Sequence, residues 1–174
     1  MPAVTIRPAA VDDIAAITGI YAHAVRHGTA SFEIDPPDQA EMTRRWRALV
    51  NGGYPYLVAE VEGAVAGYTY AGAYHTRPAY RWTVEDSVYI APDAHRRGLG
   101  RALLAQLIAE AEVRGFRQMI AVIGDSRQVA SIELHRALGF APVGNFVSVG
   151  FKHGRWLDTV LMQRPLGPGD TTPP

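Results

Sequence analysis

Val88-Tyr89-Ile90-Ala91-Pro92-Asp93-Ala94-His95-Arg96-Arg97-Gly98-Leu99-Gly100-Arg101-Ala102-Leu103-Leu104 reads as a strand, a short loop and a helix whose first turn carries two glycines among arginines. A helix start leaves backbone N–H groups without partners and carries the positive end of the helix dipole. Glycine has no Cβ, so a ligand can approach its backbone closely. The combination makes a seat for a phosphate or pyrophosphate. No lysine follows the second glycine, which excludes a P-loop, and no third glycine follows three residues on, which excludes the dinucleotide fingerprint. On pattern alone, an ordinary glycine turn with a solvated arginine face fits equally well.

Working outward, Val4-Thr5-Ile6-Arg7 alternates as a first strand stopped by Pro8. Asp12 or Asp13 can cap a helix to about Arg26, with Ile14, Ile17, Ile20, Tyr21 and Ala24 on one face. A second helix fits Asp38 to Val50, striped by Met42, Trp46, Leu49 and Val50 and ended by Asn51-Gly52-Gly53. Tyr56 to Val61 and Val65 to Ala73 form a hairpin about Glu62-Gly63-Ala64. Trp82 to Ile90 is the strand leading into the glycine loop, and the helix after it runs to about Arg114 and stops at Gly115. Gln118 to Ile123 is a nearly continuous apolar strand, as expected when both faces are covered. Gln128 to Leu138 is a helix ended by Gly139, and Phe140 to Val149 and Phe151 to Met162 are two strands about Gly150. The order β-α-α-β-β-β-α-β-α-β-β predicts an α/β domain with a mixed central sheet flanked by helices. Residues 1–164 form one domain, and the Pro/Gly/Thr-rich residues 165–174 read as a disordered tail.

The 174 residues suit one domain, and 48% apolar content makes it globular. A net charge of zero lacks the footprint of a nucleic-acid binder. No apolar run reaches the ~20 residues that span a bilayer. Cysteine is absent, which removes disulfides, thiolate metal sites and a thiol nucleophile. The six histidines show no metal-ligand spacing, so no metal is expected. With no basic, apolar leader evident, a cytoplasmic location is the expectation.

His95-x-x-Gly98-x-Gly100 resembles the coenzyme A loop of the GNAT N-acetyltransferase superfamily, with His95 where that loop carries glutamine or arginine. The element order is that of the same fold. Ile6-Arg7-Pro8-Ala9, Thr29-Ala30-Ser31-Phe32-Glu33, Tyr80-Arg81-Trp82-Thr83-Val84-Glu85, Ala121-Val122-Ile123-Gly124-Asp125, Leu134-His135-Arg136-Ala137-Leu138-Gly139-Phe140 and Gly150-Phe151-Lys152-His153-Gly154-Arg155-Trp156-Leu157-Asp158 resemble the phosphinothricin and methionine sulfoximine N-acetyltransferase branch. The likeness runs from about Val4 to Arg164.

The resemblance implies attack of a primary amine on the thioester of acetyl-CoA. Period two puts Thr83, Glu85, Ser87 and Tyr89 on one strand face. Partial burial there would raise the Glu85 pKa toward that of a useful base. A solvated glutamate shows the same pattern, and the resemblance favours the base. Asp86 faces the other way and is expected to be structural. The resemblance also implies that the backbone of Val88, Tyr89 and Ile90 faces the pantetheine arm at a β-bulge, offering N–H groups to the thioester carbonyl. The run His95, Arg96, Arg97, Gly98, Leu99, Gly100 and Arg101 would hold the pyrophosphate. Gln128 stands where the family carries an asparagine that contacts the CoA arm. His135 is the implied donor of a proton to the leaving thiolate, although a partly buried helix histidine with a backbone partner fits the same pattern.

For an amino-acid acceptor, Arg77 is the first candidate to bind the carboxylate. His75 stands where the branch often has a second arginine, and Phe32, Tyr74 and Tyr80 are candidate pocket walls. The resemblance implies a homodimer, with the Lys152-His153 and Trp156 region near its interface. Another amine (a polyamine, an antibiotic or a protein N-terminus) is the alternative substrate class, and a non-catalytic CoA-binding sensor is the alternative role.

Overall fold

The computed structural model describes residues 4–174. Its elements are β1 (Val4–Pro8), α1 (Ile14–His27), α2 (Gln39–Asn51), β2 (Tyr56–Val61), β3 (Ala64–Ala73), β4 (Thr83–Ile90), α3 (Leu99–Val113), β5 (Gln118–Gly124), α4 (Val129–Ala137), β6 (Ala141–Lys152) and β7 (Arg155–Pro165). The strands form one seven-stranded sheet in the order β1-β2-β3-β4-β5-β7-β6. Among the described residues only β4 and β5 pair in parallel, joined by a crossover through α3. The mixed sheet read from the sequence is therefore present.

Each face has its own core. On one face, Ile14, Ile17, Tyr21 and Val25 of α1 and Met42 of α2 pack on Tyr56, Val58 and Tyr68 of the sheet. On the other, Leu103, Leu104 and Leu107 of α3 pack on Leu57, Ala71, Val84 and Met119. Helix α2 starts where its sequence predicts, because the Asp38 side chain accepts a 2.8 Å hydrogen bond from the Glu41 amide.

The start of α1 differs from expectation. Neither Asp12 nor Asp13 caps it. The Asp13 carboxylate turns back to accept from the Ala10 amide at 2.8 Å and from Arg7 at 2.7 Å, and Glu60 accepts from the same guanidinium. The charged Arg7 outcompetes the helix amides for this carboxylate.

The last hairpin also differs. Its turn is His153-Gly154, with φ of 50° and 73°, and not Gly150. Two successive positive φ values fit the twist of a two-residue hairpin. Gly150 lies inside β6, where a Cβ would come within 2.6 Å of the Phe32 ring. Residues 165–174 are held to the domain: Leu166 is buried, and Arg117 donates to the Gly169 carbonyl at 3.0 Å and the Pro173 carbonyl at 2.9 Å. The composition of this segment missed the one guanidinium that gathers its carbonyls.

One feature of the sheet positions the site. The β4–β5 pairing runs only from Thr83↔Gln118 to Asp86↔Ala121. Beyond it β4 stays paired with β3 as far as Ile90↔Gly67, and β5 stays with β7 as far as Gly124↔Thr159. The two central strands therefore part, and a gap opens between Ser87–Ile90 and Val122–Gly124. Val122 is 37% exposed for this reason, against the expectation of a strand covered on both faces.

Candidate active site

The gap is a cavity of about 70 Å³ lined by Asp86 to Tyr89 of β4, Ala121 to Gly124 of β5, Gln128, Ser131, His135 and Ala30. The Thr69 hydroxyl donates to the Ser87 carbonyl at 2.7 Å, and the Ala91 amide donates to Ala66 of β3 at 2.9 Å. Backbone polarity alternates along a strand, so the Tyr89 amide serves β3 while those of Val88 and Ile90 turn to the open side. The β3–β4 register runs without a shift. The expected bulge in β4 is thus absent, and the parting of the strands frees the N–H groups instead. Of the three backbone positions named from the sequence, Tyr89 contributes its side of the cavity wall but not its amide.

At the end of β4 the chain turns through His95, Arg96 and Arg97 into α3. Gly98 has φ 76° at the N-cap of that helix, a left-handed conformation that costs an L-residue about 1–2 kcal/mol. The first helical bond is Ala102 N–H to Gly98 O at 3.1 Å, so the amides before Ala102 have no helical partner. No acidic side chain sits in the first turn. His95, Arg96, Arg97, Gly98 and Arg101 are exposed, Leu99 is buried beneath them, and Gly100 lies beside Leu134 of α4. Free amides, a helix dipole and three exposed guanidinium groups together suit a pyrophosphate.

Glu85 is partly buried in mid-β4, on the face shared with Tyr70, Ser87 and Tyr89. That face packs on α1, since the Tyr21 and Tyr89 rings meet edge to face at 5.1 Å. Burial, with the adjacent charge of Asp86, pushes the Glu85 pKa up to about 7. This is the value a general base needs near neutral pH.

His135 sits on the opposite face, buried on α4. Its Nδ1 lies 2.7 Å from the Ser131 carbonyl and its Nε2 lies 3.0 Å from Asp86 Oδ2. Burial alone would lower the His135 pKa, but the Asp86 hydrogen bond and charge, with the Ser131 carbonyl, outweigh it and leave it raised. The other Asp86 oxygen, Oδ1, is buried with no protein partner among the described residues. Asp86 was expected to be structural, yet it lines the gap. Its place on the face away from Glu85 was legible in the period of β4, but nothing in the sequence paired it with a histidine 49 residues on.

Gln128 lines the gap, but its Nε2 donates to Thr29 Oγ1 at 3.0 Å, and the Thr29 hydroxyl donates to Asp125 at 3.0 Å. Asp125 also receives Arg155 and the Arg127 amide. This network, unseen in the sequence, ties the loop before α2 to the end of β5. Lys152, the single lysine of the chain, is buried and donates to the Ser31 carbonyl at 2.7 Å, while His153 Nε2 lies 3.1 Å from the Gly28 carbonyl. Both side chains fasten the last hairpin to the 28–33 loop.

That loop holds Phe32 against Gly124 and Gly150, beside the end of the gap. Tyr74, His75 and Tyr80 form a separate aromatic cluster before β4, with centroid distances of 4.1 Å for Tyr74–His75 and 4.9 Å for His75–Tyr80. Arg77 is exposed beside them. None of these four lines the gap itself.

A parted parallel strand pair, an anion seat at the following helix and a partly buried carboxyl on the strand that borders the opening are the parts that an acyl-CoA-dependent transferase needs. The unpaired amides of Val88 and Ile90 fit the amide-bearing arm of coenzyme A. The chain belongs to the acetyltransferase (GNAT) family, matched over residues 17–140. It is 58% identical over 172 residues to a phosphinothricin N-acetyltransferase of Alcaligenes faecalis, covering 99% of this chain and 87% of the relative. It is 44% identical over 162 residues to an L-methionine sulfoximine/L-methionine sulfone acetyltransferase of Salmonella typhimurium, covering 93% and 94%. A crystal structure of a phosphinothricin acetyltransferase from Sinorhizobium meliloti in complex with acetyl-CoA superimposes with a TM-score of 0.96, at 51% identity, over 98% of this chain and 92% of that one. The protein is an acetyl-CoA-dependent N-acetyltransferase.

Proposed function

We propose that this acetyltransferase acetylates the primary amine of a small amino acid or analogue of the phosphinothricin, methionine sulfoximine or methionine sulfone type, by direct attack. The observation that carries the mechanism is Glu85, a carboxyl tuned by burial to about 7 on the face of β4 next to the gap. The substrate class is supported by the relatives' activities and by the exposed Arg77.

When bound, acetyl-CoA supplies an acyl carbon activated as a thioester. The unpaired Val88 and Ile90 amides are donors for the oxyanion that develops during attack. The amides and arginines of residues 95–101 bind the pyrophosphate, and Gln128 closes the wall of the arm. Glu85 takes the ammonium proton and so gives the nitrogen its lone pair. Arg77 holds the acceptor carboxylate, and Phe32, Tyr74, His75 and Tyr80 shape the surroundings. His75, in place of a second arginine, favours a wider amine range as a second reading.

Thiol release from acetyl-CoA across a panel of amines tests this, and a cysteine-free protein adds no background thiol. Saturable release with phosphinothricin, methionine sulfoximine and methionine sulfone is expected. Release only with polyamines or peptides would overturn the substrate class.

We also assign the enzyme to the cytoplasm, the compartment that holds its acetyl donor; no helix among the described residues is long and apolar enough to cross a membrane. It works as a homodimer. In support, β6 is an edge strand that exposes Val143, Phe146, Val147, Val149 and Phe151, with Trp156 beside them. A long apolar edge is a liability unless covered. Light scattering should give twice the chain mass, falling to one chain in Phe146→Glu/Val147→Lys.

A further inference from the structure

We propose that Asp86 is a positioning residue for acyl transfer, holding His135 as a doubly protonated imidazolium on the wall of the β4–β5 gap. The Ser131 carbonyl can only accept, so His135 Nδ1, 2.7 Å away, carries a hydrogen. An Asp86 carboxylate can only accept, so Nε2, 3.0 Å from Oδ2, carries one as well. A neutral imidazole has a single N–H, so the pair stores one further proton between Nε2 and Oδ2. Side chains at 5% and 2% exposure shield that proton from bulk water.

Asp86 supplies the charge that holds this state, beside the Ser131 carbonyl. From β4, Glu85 points to the other face. From β5, Ala121 and Ile123 are apolar. The Phe140 ring meets His135 edge-on at 4.9 Å and fixes its plane. On α4 itself, Glu133 and Arg136 pair with each other on the exposed side. Asp86 and His135 both line the gap, which sets the stored proton at the cavity wall, and Asp86 Oδ1 has no protein partner among the described residues.

The proton balance follows. The amine nitrogen bonds to the acetyl carbon and the carbon–sulfur bond breaks. Sulfur leaves with the electron pair and takes the proton held between His135 and Asp86. The ring is left neutral, with Nδ1–H still on Ser131. The second proton shed by the amine nitrogen passes to water, and uptake of one from water restores the pair.

The test is nitrogen NMR on intact protein labelled at histidine, with the His135 signals among the six histidines assigned through His135→Asn. At a pH of about 7.5, above the ordinary histidine pKa, imidazolium shifts are expected in the wild type and neutral shifts in Asp86→Asn. This readout needs no acceptor amine, so it stands apart from the substrate assignment. In turnover, Asp86→Asn should lower kcat about tenfold at that pH and move the alkaline limb down by about one pH unit. The KM for acetyl-CoA should stay within about twofold, and Asp86→Glu should restore part of the loss. A neutral His135 in the wild type, an unchanged charge state in Asp86→Asn, or a loss confined to KM would each overturn the proposal.

Discussion

Glu85 and His135 stand on opposite faces of the central sheet, one on each side of the gap where β4 and β5 part. The period of two along β4 enforces this, since Glu85 precedes Asp86 and Asp86 is the residue that meets His135. The proposed proton acceptor and the proposed proton donor are therefore separated by the sheet itself. In the proposed mechanism, proton uptake by Glu85 falls on the α1 side and proton release by His135 on the α4 side, so the two protons do not cancel within the site.

Burial of Glu85 sets a pH dependence with a definite sign. Its folded value of about 7 lies above the ordinary 4.5. The base is the ionised form, so kcat should rise with slope one below about pH 7 and level off above it. Stability runs the other way. A raised carboxyl pKa contributes stability below its unfolded value, and that contribution is lost as pH rises through about 7. Thermal melts of Glu85→Gln should match the wild type near pH 4. Near pH 8 the variant should be more stable by on the order of 1–3 kcal/mol.

Gly98 is held at φ 76° with nothing within 4 Å of where a Cβ would sit. The cost of Gly98→Ala is therefore conformational and not a clash. A loss of about 1 kcal/mol would lower Tm by roughly 2–4 °C. The KM for acetyl-CoA should rise with it, because the left-handed turn aims the free amides of α3. An unchanged Tm and KM would remove Gly98 from the cofactor seat.

Gly150 and Phe32 are in close contact across the end of the gap. Gly150→Ala forces the ring to move, since a Cβ there would lie 2.6 Å from one of its carbons. The KM for the amine should rise about tenfold with the KM for acetyl-CoA unchanged, as expected when only acceptor binding is lost. Equal rises in both would place Phe32 on the cofactor side.

Much of this was legible in the sequence, for physical reasons that differ by residue. The β4–loop–α3 passage declares itself through alternation, then glycine, then an apolar stripe at helical spacing. Glu85 and Asp86 could be assigned to opposite faces from period two alone. What pairs with what across the fold could not: Asp86 with His135, Gln128 with Thr29, Lys152 with Ser31 and Arg117 with the last residues all join distant segments. The hairpin turn differs from the sequence expectation for a nearer reason. Gly150 looked like a turn residue, but its missing side chain makes room for Phe32, and His153-Gly154 makes the turn.

The most direct test of the account is the steady-state rate of Glu85→Gln beside its affinity for acetyl-CoA. The substitution keeps the shape and removes the base. A fall in kcat of about 10²- to 10⁴-fold is expected, with acetyl-CoA binding by calorimetry unchanged. A kcat within a few-fold of the wild type would show that the amine loses its proton elsewhere and would contradict the role given to Glu85.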